Sequence, residues 1–114
     1  MKTTKKDFEL FKTECQKWID KLGLHEWDFY FKLADLKGSV ATTACDCEGH
    51  IAKITLNTNI DRTACFHSLE DTAKHEILHV LMSPLMTKAT YRYVRYDELD
   101  EAEHSILMRL IKLL

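Results

Sequence analysis

Between Leu69 and Leu85 the apolar residues Ala73, Ile77, Val80 and Leu81 recur at helical spacing, and Leu78 and Leu85 widen the stripe. Residues three and four apart share one face of an α-helix, so this segment has to bury that face against the rest of the chain. Ser68 precedes the run and Asp71 follows three residues later, an approximate capping box. Pro84 marks the end of the helix or a kink near it. His75, His79 and Met82 fall on the flank of this largely buried helix.

The same segment spells His75-Glu76-Ile77-Leu78-His79, an H-E-x-x-H signature. Histidines four apart lie one above the other on a helix and can offer two imidazole nitrogens to one zinc ion. Glu76 is placed beside them as the general base toward a water at the open zinc position. The pattern points to metal-assisted hydrolysis. His25, His50 and His67 read as surface or capping residues, with His67, just before the motif helix, the one candidate to hydrogen-bond a metal ligand from behind.

The 114 residues suit one domain, and 46% hydrophobic content argues for a globular chain. A net charge of −2 gives no electrostatic case for nucleic acid binding. No apolar run approaches a membrane span and no signal-peptide pattern opens the sequence, so a cytoplasmic setting is expected. Cys15, Cys45, Cys47 and Cys65 form no CxxC pair and read as small buried hydrophobes in a reducing compartment. Cys45 and Cys47 would share one side of a strand, where a thiol pair is also able to bind metal.

Ahead of the motif, Phe8, Phe11, Cys15, Trp18, Ile19 and Leu22 predict a helix from Lys5 to about Leu22, with Gly23 at its C-cap. Strand patterns follow at Trp27–Leu36, Ser39–Asp46 and His50–Asn57, the last two joined by a turn around Glu48-Gly49. Asn57, Asn59 and Asp61 then form a loop. A final helix is expected over about Asp97–Leu113. The order predicts an α+β domain: N-terminal helix, a small antiparallel sheet of about three strands, the motif helix and a C-terminal helix.

A catalytic zinc site of this type needs a third protein ligand. The last helix offers Glu98, Glu101, Glu103 and His104. Glu103 falls in the middle of the apolar stripe Leu99–Ile106–Leu110–Leu113, where a carboxylate is costly unless paired or metal-bound. Glu103 is therefore the first choice and His104, beside the stripe, the second. Tyr91, Arg92, Tyr93, Arg95 and Tyr96, between the two helices, are candidates to stabilise an oxyanion. Packing of those aromatics back onto the core is the other reading.

HEILHVLMSPL, followed by DEAEHSILMRL, resembles the minimal zincin-type metallopeptidases often found in bacteriophage genomes. The segment Ala52-Lys53-Ile54-Thr55-Leu56-Asn57 is similar to the strand that precedes their active-site helix. The resemblance covers roughly residues 25–114 and implies a zincin-like fold, a bound zinc and hydrolysis of a peptide or protein substrate. It further implies that the edge strand of the sheet receives an extended substrate, and that an acidic residue of the last helix, best matched by Glu103, completes the metal site. The metzincin extension and a thermolysin-like NExxxD segment are lacking. The alternatives are a zinc-binding interaction module with little turnover and a regulatory protease of the repressor-cleaving kind. A site this small is expected to need a protein partner for activity if its own cleft is too short.

Overall fold

The computed structural model describes residues 2–60, 68–91 and 93–113. Its elements are helix α1 (Lys5–Leu22), strands β1 (Asp28–Ala34), β2 (Ala41–Asp46) and β3 (Ile51–Asn57), and helices α2 (Leu69–Ala89) and α3 (Tyr96–Ile111). The α+β order read from the sequence holds. Thr4 caps α1 through a full capping box with Asp7, and Gly23 ends it in the left-handed region at φ 65°.

The sheet is mixed rather than antiparallel. Its strand order is β1-β3-β2, with β1 parallel and β2 antiparallel to β3. Composition explains why β3 takes the centre. Ala52, Ile54 and Leu56 are fully buried on one face, and this row needs apolar neighbours on both sides. β1 supplies them with Phe29, Phe31 and Leu33 in register with Ala52, Ile54 and Leu56. The link from β1 to β2 then has to cross the end of β3. Asn57 holds that crossing. Its side-chain oxygen accepts from the Leu36 and Asn59 N–H groups at 3.2 and 3.0 Å. Its amide nitrogen donates to the carbonyls of Leu36 and Ser39.

One core joins the described elements: Phe11, Cys15 and Ile19 of α1, the buried row of β3, Ala73, Ile77 and Val80 of α2, and Ile106 of α3. Burying each such Leu, Ile or Phe contributes roughly 1.5–3 kcal/mol relative to exposure. The ammonium groups of Lys21 and Lys74 lie over the ring of the half-buried Trp18, 4.8 and 4.9 Å from its centre, and the Lys74 contact ties α1 to α2. No helix of the described residues is long and apolar enough to cross a membrane.

Helix α2 does not stop at Pro84; it continues to Ala89. Proline lacks the N–H that would bond the carbonyl four residues back, at Val80. Ser83 donates its hydroxyl to that carbonyl at 2.8 Å, so the carbonyl keeps a partner and the helix runs on. Ser68 caps the other end, accepting from the Asp71 N–H at 3.0 Å.

Candidate metal centre

The phase of α2 distributes the motif. Ala73, Ile77, Val80 and Leu81 face the core, as the stripe predicts, and His75, His79 and Met82, expected on a flank of a largely buried helix, are exposed on the opposite side. Glu76 lies about 100° further round the helix from His75, toward β2. It is only 5% exposed and is the one buried charged side chain among the described residues.

The two imidazoles converge. His75 Nε2 and His79 Nε2 are 3.0 Å apart, with ring planes at 82°. Two nitrogens at tetrahedral positions on one zinc, each at 2.0–2.1 Å from it, would be separated by about 3.3 Å. The pair is thus set close to the span that zinc requires. In a mutual hydrogen bond one nitrogen carries a proton, whereas around a cation both offer lone pairs. His75, Glu76 and His79 form the one group of three or more candidate metal-binding side chains among the described residues, with ligand atoms within 4.8 Å of one another.

The two oxygens of Glu76 have different surroundings. Oε2 lies 4.0 Å from His75 Nε2, on the side of the imidazole pair. Oε1 accepts a 2.6 Å hydrogen bond from the hydroxyl of Thr43 on β2. The same hydroxyl is 3.3 Å from the backbone carbonyl of Glu76. Behind the carboxylate, burial pushes the Cys15 thiol well above its ordinary pKa, and the Glu76 charge adds to the rise. Thr43 carried no signal in the motif reading. The clue available in the sequence was a hydroxyl in the row Ala41–Thr43–Cys45, the inward side of a strand next to the motif helix.

Two recesses of about 430 Å³ each adjoin at the motif and share Ala41, His75 and Glu76. One extends past Val40 to Asp71 and Thr72, and the other past Thr43 and Cys45 to Ser83 and Met86. Together they follow the β2 edge along α2. Cys45 of β2, half-buried, lines the second recess, and Cys47, half-buried just beyond the strand, lines the cavity between α2 and α3. Burial raises the pKa of Cys45, a hydrogen bond to Ser83 opposes the rise, and the Cys47 thiol adds to it.

The last helix falls elsewhere. Its contact with α2 is made by Ala102 and Ile106, around a cavity lined from α2 by Val80, Leu81 and Pro84, on the side away from the histidines. Glu103, expected on the buried stripe and as the third ligand, is exposed and stands outside the His75–Glu76–His79 group. The buried face of α3 is centred on Ala102 and Ile106, and Glu103, about 100° round the helix from Ala102, falls outside it. His104 is also exposed and lies 3.9 Å from Asp100. Glu101 is exposed and Glu98 half-buried. Of the expected oxyanion donors, Tyr91 lines the cavity between α2 and α3, Arg95 pairs with Asp97 at 2.8 Å, and Tyr93 and Tyr96 are exposed. Among the described residues none of these lines the two recesses. His25 lies 3.8 Å from Asp20, and His50 sits edge-on to Trp27. Asp61, Cys65, His67 and Arg92 lie outside the described residues.

No family model, curated protein or solved structure matches this chain.

Proposed function

We propose that the chain is a zinc-dependent peptidase of zincin type. The observation that carries the reading is the 3.0 Å convergence of His75 and His79 beside a buried glutamate held from an edge strand. Zinc bound at the two imidazoles would supply a Lewis acid that makes a water acidic and polarises a carbonyl. Glu76 Oε2 faces the pair and accepts the proton of the attacking water, then returns it to the leaving amine.

β2 provides the docking edge. Asn57 N–H donates to the Val40 carbonyl, which fixes the alternation of the β2–β3 ladder. The backbone groups of Thr42 and Ala44 turn toward β3, and those of Ala41, Thr43 and Cys45 turn to the other side, where no strand pairs with β2 among the described residues. An extended peptide added there runs along both recesses and past His75 and His79. Peptide or protein is therefore the proposed substrate class.

The test pairs metal content with chemistry. Glu76→Gln is expected to keep zinc and fold and to lose hydrolysis, because the amide cannot take a proton. Wild-type turnover in Glu76→Gln would remove the base from the mechanism. A second reading is a zinc-holding interaction module with little turnover. It is favoured by Leu107, Met108 and Ile111, which stand exposed on α3 as a surface for a protein partner. Zinc binding without cleavage, with retention of a protein partner by the wild type but not by a Leu107→Asp/Ile111→Asp variant, would decide for it.

A further inference from the structure

We infer that Thr43 is a positioning residue for the general base, holding Glu76 in the one orientation that leaves Oε2 free for the reacting water. The inference rests on the peptidase reading above and adds a residue that the motif does not contain.

A glutamate side chain has three rotatable bonds, so a base on an exposed helix face samples many directions. Glu76 is buried, and its Oε1 is engaged at 2.6 Å by Thr43 Oγ1. The donor is stiff. Threonine is β-branched, with few side-chain rotamers, and Thr43 sits opposite Ile54, a fully buried residue of the central strand. The acceptor is thereby tied to the most constrained part of the sheet. A hydroxyl bonded to a carboxylate donates, so Oε1 is turned toward β2 and Oε2 toward His75, 4.0 Å away.

Thr43 also has its backbone N–H and C=O on the open edge of β2, where an extended peptide would pair. One residue thus registers the substrate strand through its main chain and the base through its side chain. The scissile carbonyl and the proton acceptor are located from the same point, and a shift of the hydroxyl partner misaligns them without altering the peptide's contacts.

The experiment compares Thr43→Val, which removes the hydroxyl at constant shape, with Thr43→Ser, which keeps it. Zinc-loaded protein is assayed on the best-cleaved member of a quenched-fluorescence peptide library. Thr43→Val is expected to lower kcat about 10- to 100-fold, as small misplacements of reacting groups do, with KM and zinc content unchanged. Thr43→Ser should restore kcat. Thr43→Ala carries the same expectation as Thr43→Val if the valine variant does not fold. Wild-type kcat in Thr43→Val, or equal loss in Thr43→Ser, would overturn the role and leave the peptidase reading standing. Absence of cleavage by the wild type overturns that reading and the role with it. A readout without metal checks the contact itself. The double variant Thr43→Val/Glu76→Ala, in which donor and acceptor are both gone, should lose less Tm than the sum of the two single variants, and strictly additive Tm losses would contradict the bond.

Discussion

The hydroxyl of Ser83 donates at 2.8 Å to the carbonyl of Val80, the group that Pro84 deprives of its helical partner. Serine and proline at adjacent positions act as one unit, and the helix that carries the metal motif passes through a residue that would otherwise end it.

Replacing Ser83 by alanine is therefore expected to destabilise the chain by about 1 kcal/mol, the worth of a typical intramolecular hydrogen bond. In a Pro84→Ala background the new backbone N–H can take the Val80 carbonyl, and the loss should shrink. Urea unfolding of the four variants measures both terms. The same loss in both backgrounds would show that Ser83 does not compensate for the proline.

Metal titration separates the two helices. His75→Ala and His79→Ala should each abolish stoichiometric zinc binding and remove the rise in Tm that zinc gives the wild type. Glu103→Ala should bind as the wild type does, because Glu103 is exposed on α3 and outside the histidine cluster. A strong loss in Glu103→Ala would mean that α3 reaches the histidine face when zinc is bound.

Stability should fall in alkali. Burial raises the pKa of Cys15, so the folded chain retains a proton that the unfolded chain releases near its ordinary value. The stabilising contribution is complete below that ordinary value, about 8.5, and shrinks as pH rises past it, by up to about 1.4 kcal/mol per pH unit. Cys15→Ala should flatten the decline, leaving the share contributed by Cys45, whose pKa is also raised. Denaturant midpoints between about pH 8 and about pH 10 check this. An unchanged slope in Cys15→Ala would place the effect at other groups.

Asn57→Asp should be more damaging than its size suggests. The amide nitrogen of Asn57 donates to the Leu36 and Ser39 carbonyls, and a carboxylate there would face two acceptors with no proton to give. An expected loss of about 2–4 kcal/mol follows from stranding buried polar groups. Thermal melts of Asn57→Asp and Asn57→Ala, with the aspartate variant less stable above its pKa, would bear this out; equal stability would count against the staple.

Most of the helical layout was legible because helical periodicity is a local property. The apolar stripe of α2 named the buried Ala73, Ile77, Val80 and Leu81 and left His75 and His79 outside, but gave no sign that Glu76 is buried as well. Relations between segments were less legible. The β1 pattern identifies a strand but does not reveal that it pairs parallel to β3, since direction depends on which partner the buried row of Ile54 and Leu56 selects. Glu103 was misread for a related reason. Leu99 and Ile106 flank it at helical spacing, but the residues of α3 that are buried are Ala102 and Ile106, and an alanine in the pattern did not mark that face. Thr43 is recognisable only once β2 lies against α2, because nothing in its sequence neighbourhood names a partner 33 positions away.

The crossing of the β1–β2 link over the end of β3 has a consequence for how the chain is put together. β2 and β3 are joined by a short turn and can pair locally, whereas β1 has no neighbour in the sheet until β3 arrives between them. During synthesis from the amino end, Phe29, Phe31 and Leu33 therefore emerge before the strand that shelters them. The interval in which this apolar edge stands open is set by the time needed to make the residues from Asp35 to Asn57, and an early stall in that stretch would leave an aggregation-prone strand without its mate.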